Sequence, residues 1–166
     1  MSCAQAVSLT SPAFRSVALV ELRQSLPGRI AIISPFVDQL MHFIARLRNP
    51  DGGEFHLEAA LHEALANAIV HGNQENPHKL VCAACRCTTE GGVSLSVEDE
   101  WQGFDTAAVL DPTTPDNRLL PHGRGGYLMK ALMDDICLEQ GGTVVYMHKA
   151  SNARPRAATR AVRRAA

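Results

Sequence analysis

At 166 residues, with 46% hydrophobic and 20% charged side chains, the chain has the size and composition of one globular domain. Disordered, fibrous and multi-domain proteins are thereby excluded, and a domain near this size buries roughly two-thirds of its unfolded surface, so it can fold without metal or disulfide staples. The net charge of −1 conceals an asymmetry: five of the 16 bases stand after residue 151 with no acid among them, which leaves 11 bases against 17 acids, or −6, in the rest.

The start, MSCAQAVSLTSPAF, has neither a basic n-region nor an apolar core, and no apolar run approaches the roughly 20 residues of a membrane span. A soluble, cytoplasmic protein without a membrane partner is expected. Residues 13–23 alternate imperfectly and predict an opening strand, with Phe14, Val17, Leu19 and Val20 as its apolar positions. Over residues 34–48, Phe36, Val37, Leu40, Met41, Phe43, Ile44 and Leu47 recur at spacings of three and four, which predicts a helix with Ser34 as N-cap and Pro35 in its first position. The punctuation NPDGG ends it, and a second helix is predicted over residues 54–71, closed by Gly72 and Asn73.

Two strands, 79–88 and 93–98, follow as a hairpin turned by Glu90, Gly91 and Gly92. The first contains CAACRC. On a strand Cys82 and Cys85 point to opposite faces and cannot share a tetrahedral ion, so structural free thiols are expected rather than zinc ligands. From residue 100 to 125 apolar periodicity stops and Pro112, Pro115 and Pro121 intervene, which reads as a long loop acting as a lid. A helix over 126–133 and strands over 136–139 and 143–148 complete a domain at 1–150. Residues 151–166, with Arg154, Arg156, Arg160, Arg163 and Arg164, read as a basic, solvated, disordered tail. Its lack of aromatic residues removes the stacking groups of a single-strand binder, and direct nucleic-acid binding is not expected. The order of elements predicts an α+β two-layer sandwich, with helices on one face of a mixed, largely antiparallel sheet.

Three places carry chemistry. On the second helix Leu57, Leu61, Ala64, Leu65, Ala68 and Ile69 form an apolar stripe, and Glu63, Asn67 and His71 form a polar one beside it. A carboxylate there suits a general base and an amide oxygen suits a hard cation such as magnesium, although an ordinary polar helix edge has the same pattern. Asp99 ends the hairpin, where a fixed carboxylate accepts a hydrogen bond from an exocyclic amine of the kind adenine has and guanine lacks at that edge. Gly123, Gly125 and Gly126 precede or open a helix, where bare amides and the helix dipole face an anion, and Arg124 adds a charged donor.

In this order the motifs resemble the GHKL ATP-binding superfamily, and within it the small serine-kinase anti-sigma factors of bacteria. HEALANAIVHGN is similar to their N-box, VEDEWQGFD to their first glycine box and HGRGGYLMKALMDD to their second, and the resemblance covers roughly residues 36–149. It implies the Bergerat, or histidine kinase-like ATPase, fold and binding of ATP with Mg2+. Carried onto this chain, it implies that Glu63 is the catalytic base, Asn67 the magnesium ligand, Asp99 the reader of adenine and Thr143 the support of that contact. Gly123, Arg124, Gly125 and Gly126 close on the phosphates. The implied function is an ATP-dependent protein serine kinase and anti-sigma factor, working as a homodimer by partner switching between a sigma factor and a STAS-type anti-anti-sigma protein. One position departs: Trp101 stands where a glycine is common, two residues after the aspartate, and a Trp does not easily take positive φ or let a ligand approach the backbone. Gly103 takes over that role, or nucleotide binding is weakened. The alternative is a non-catalytic regulatory module of the same fold that binds ATP or nothing. A sensor histidine kinase is disfavoured because the chain has no room for a separate phosphoacceptor hairpin.

Overall fold

The computed structural model describes residues 18–47, 52–100 and 124–151. In chain order these form β1 (Ala18–Pro27), a short 3-10 turn (Ile30–Ile32), α1 (Ile33–Leu47), α2 (Glu54–Ala66) with a π turn at its end (Asn67–Gly72), β2 (Leu80–Thr88), β3 (Val93–Glu98), α3 (Arg124–Leu132), β4 (Asp135–Glu139), a second 3-10 turn (Gln140–Gly142) and β5 (Val144–Lys149). The five strands lie in the order β1-β2-β3-β5-β4 and all four pairings are antiparallel. The three helices pack side by side, α2 between α1 and α3, on one face of that sheet. This is the predicted α+β two-layer sandwich.

The sheet's two-residue period decides which face is buried. One rung across all five strands reads Leu22, Cys85, Leu95, Met147 and Ile136, every member in or against the hydrophobic core under the helices. The next rung reads Glu21, Arg86, Ser94, His148 and Asp135 and points the other way. The same alternation puts Cys85 and Cys87 in the core as free thiols and Cys82 on the opposite face. A hydrogen bond with Cys87, with burial adding to it, raises the Cys85 thiol far above its usual range, so it stays protonated. Cys137 is also a free thiol, whereas Cys82 is disulfide-bonded, which corrects the expectation of a free thiol at that position.

Two boundaries differ from expectation for identifiable reasons. The opening strand runs on to Pro27, because Gln24, Ser25 and Leu26 continue the ladder with Ala83, Cys82 and Val81 at an edge where polar residues and a terminal proline are tolerated. Helix α1 starts at Ile33, so Ser34 does not cap it; its hydroxyl instead lies 3.3 Å from His62 Nε2 on α2. Pro35 falls in the first turn, where the missing N–H has no helical acceptor. With the 3-10 turn, residues 30–47 form the one helical stretch among the described residues long and apolar enough to cross a membrane by composition, and it buries Ile33, Phe36, Val37, Leu40 and Ile44 against this core. The proposed lid beyond residue 100 and the basic tail lie outside the described residues, apart from the first turn of α3 and Ser151.

Candidate functional site

Helix α2 is anchored by Leu57, Leu61, Leu65 and Ile69, each at most 1% exposed. Anchoring that stripe places Glu63 and Asn67, both half-buried, along its margin, with His71 exposed beyond them. The regular helix ends at Ala66, where the Asn67 N–H is shared between the carbonyls of Ala64 and Glu63. From Asn67 the turn widens: the Asn73 N–H reaches back to the Ala68 carbonyl (2.8 Å) and the Glu75 N–H to Ile69 (2.8 Å). The sequence reading carries the helix straight through to residue 71. Side-chain periodicity does not distinguish an α turn from a single π turn, a feature frequent at functional sites.

Asp99 directly follows β3. Because Glu98 pairs with Val144, Asp99 comes opposite Thr143, and its N–H donates to the Thr143 carbonyl (3.0 Å). The Thr143 hydroxyl donates to the Gln140 carbonyl (3.2 Å), which closes the β4–β5 turn in which Gly141 and Gly142 take positive φ. The link between Thr143 and Asp99 thus runs through main chain. On its other side the Asp99 carboxylate packs on the α carbon of Gly72, where an added Cβ would collide with both carboxylate oxygens. Glu63, Asn67, Asp99 and Thr143, remote in sequence, therefore belong to two structural pieces in direct contact, the end of α2 and the end of the β3–β5 pair.

Arg124, Gly125 and Gly126 open α3, which packs beside α2. Among the described residues a Cβ at Gly126 would meet nothing within 4 Å, so no packing among them demands glycine there. Gly103, Gly123 and Trp101 lie outside the described residues. One residue the sequence reading used only as a helix stop is Asn73, fully buried and bonded through both side-chain polar atoms. Its signal was an amide directly after the last turn of a helix rich in functional candidates.

The donor set suits a magnesium-bound adenine nucleotide. The Asp99 carboxylate, when ionised, is acceptor-only and matches an amine, while Asn67 offers one neutral oxygen. Among the described residues no group of three or more His, Cys, Asp or Glu is placed to hold a metal unaided. Magnesium bound here would draw its other ligands from phosphate oxygens and water, its usual manner of binding.

A family profile described as the histidine kinase-like ATPase domain matches residues 27–149. The chain is 31% identical over 97 residues to the anti-sigma F factor of Heyndrickxia coagulans, covering 55% of this chain and 66% of that protein. It is 30% identical over 134 residues to the anti-sigma F factor of Geobacillus thermodenitrificans, covering 76% and 80%. The crystal structure of the RsbU and RsbW domains of Rv1364c from Mycobacterium tuberculosis superposes with a TM-score of 0.53 at 18% identity, over 80% of this chain and 32% of that one. At that identity the likeness is one of fold.

Proposed function

Because the chain belongs to the histidine kinase-like ATPase domain family, we propose that it is an ATP-dependent protein serine kinase and anti-sigma factor. In this reading it is cytoplasmic, sequesters a sigma factor and switches partner by phosphorylating a STAS-type anti-anti-sigma protein. The observation that carries the reading is the contact of the Asp99 carboxylate with Gly72 at the end of the helix that bears Glu63 and Asn67. It joins a base-reading group and a phosphoryl-transfer helix into one unit. The relatives named anti-sigma F factor supply the class of partner.

Bound ATP supplies the γ-phosphoryl group, and magnesium offsets the charge that spreads over its oxygens. Asp99 accepts a hydrogen bond from the adenine amine and Asn67 lends its side-chain oxygen to the metal. The amides of Gly125 and Gly126 would face the phosphates, joined on the strength of sequence alone by the Arg124 guanidinium, Gly123 and Gly103. Glu63 takes the proton of the partner's serine hydroxyl as the phosphoryl group arrives. Trp101, in the position where a glycine is common, favours one competing reading: a regulatory module that binds the sigma factor without transferring phosphate.

The test is to incubate the purified protein with magnesium-ATP and a purified STAS-domain partner, follow phosphoserine by mass spectrometry, and measure sigma binding before and after. Phosphoserine on the partner together with release of sigma supports the kinase. Sigma binding with no phosphoserine under any nucleotide condition selects the non-catalytic module instead.

A further inference from the structure

We propose that Gly72 and Asn73, the pair that closes the last turn of α2, are positioning residues that set where Asp99 presents its carboxylate and so decide the base preference of the site; this rests on the ATP-binding reading above. Asn73 is 0% exposed, and a buried amide is costly unless paired. Here both ends are paired. Its Nδ2 donates to the Leu80 carbonyl at the start of β2 (3.0 Å), and its Oδ1 accepts from the Glu100 N–H (3.3 Å), the residue immediately after Asp99.

Asp99 is thus gripped on both sides along the main chain. Its own N–H is held by Thr143 and the next N–H by Asn73, which leaves little freedom in the peptide that carries the carboxylate. Gly72 supplies the third constraint by leaving the space that the carboxylate fills. The chain then turns through two successive left-handed, non-glycine residues, Gln74 (φ 55°) and Glu75 (φ 54°). Such conformations persist where the surroundings over-determine them, and here they keep Asn73 directed inward while the chain leaves for β2. Asn67 begins the same π turn, so the proposed metal ligand and the seat of the base-reading carboxylate shift together or not at all.

Gly72→Ala is the sharper test, since the atoms a methyl would meet belong to the Asp99 side chain, which can swing aside without unfolding the turn. Dissociation constants for magnesium-ATP and magnesium-GTP are measured on wild type, Gly72→Ala and Asn73→Ala, with hydrogen exchange at the Glu100 amide and the Asp99 carboxyl carbon shift read by NMR. Loss of one well-placed hydrogen bond to adenine is expected to weaken ATP binding about 10-fold in Gly72→Ala while GTP binding stays as it was, so the preference collapses. In Asn73→Ala the Glu100 amide exchanges faster and the preference narrows. A merely structural role lowers the melting temperature of both variants and leaves the ATP-to-GTP ratio of the folded protein unchanged, and that result overturns the proposal. If wild type binds neither nucleotide, the ATP-binding reading fails and takes the base-preference claim with it. The positioning itself is then decided by NMR, and an Asp99 carboxyl signal unmoved in Gly72→Ala overturns it as well.

Discussion

The task proposed for Glu63 would show in rate rather than in affinity, because phosphoryl transfer depends mostly on positioning and charge neutralisation and a base acts only as the proton leaves. Glu63→Gln keeps the length of the side chain on a well-anchored helix. It is expected to leave ATP affinity nearly unchanged and to slow phosphorylation of the partner by about 100-fold or more. Asn67→Ala is expected to lose the magnesium-dependent part of binding together with transfer, and isothermal titration with and without magnesium separates the two variants. Equal transfer rates in wild type and Glu63→Gln remove Glu63 from the role of base. His148, on the sheet face away from the helices, behaves differently. Its Nδ1 lies 3.0 Å from the Ser94 hydroxyl in a buried pair. Burial holds its imidazole below the ordinary 6.5, while the carboxylates of Asp135, Asp134 and Glu90 pull the other way without prevailing. The unfolded chain therefore takes up the proton first as pH falls. Stability associated with neutral His148 is complete above about pH 6.5 and is lost progressively below it. Melting temperatures from pH 7.5 to 5.5 are expected to fall less steeply in His148→Asn than in wild type, and parallel curves would sink the assignment.

At the scale of the element, α2 shows which sequence signals carry structural information. Its apolar stripe was legible because burial of Leu57, Leu61, Leu65 and Ile69 imposes a spacing of three and four that sequence displays directly. Leu61→Ala is expected to cost about 2–5 kcal/mol, since it empties a fully buried site on the face between sheet and helices. Phe55→Ala, at the second residue of the helix and 70% exposed, is expected to change stability by less than about 0.5 kcal/mol. Denaturant titration of the two variants compares them, and a large loss from Phe55→Ala would place that ring in contacts beyond those the described residues make. The π turn was not legible, because it arises from backbone acceptors shifting by one residue while the side-chain pattern continues. Ser34 misled for a related reason: a serine ahead of an apolar run is a good cap candidate, but the 3-10 turn before it satisfied the chain entry and freed the hydroxyl for His62. The pair of β4 and β5 was placed well because Gly141 and Gly142, both at positive φ, mark their turn in the sequence itself.

At the scale of the whole molecule, the fold was legible from the order of elements, whereas the candidate site was read only as separate motifs; what sequence did not contain was how they meet. The end of the helix that bears Glu63 and Asn67 is brought against Asp99 by the β3–β5 register and by the missing side chain of Gly72, both consequences of tertiary packing. That convergence leads to a prediction about ligand-linked stability. A ligand that binds only the folded chain stabilises it by RT ln(1 + [L]/Kd), which is about 2.7 kcal/mol at 100 times Kd and is readily seen in a thermal scan. Magnesium-ATP is expected to raise the melting temperature, with magnesium-GTP giving much less, because the Asp99 carboxylate, in its proposed role, accepts from an amine that guanine does not present there. Equal shifts with both nucleotides would take Asp99 out of that role. No shift with either would turn attention to Trp101, which in the sequence takes the position where the resemblance leads one to expect a glycine. Trp101→Gly should then restore an ATP-dependent shift if the ring is the obstacle. If it restores none, the absence of binding must be traced to residues other than Trp101, and the non-catalytic reading becomes the better account of this chain.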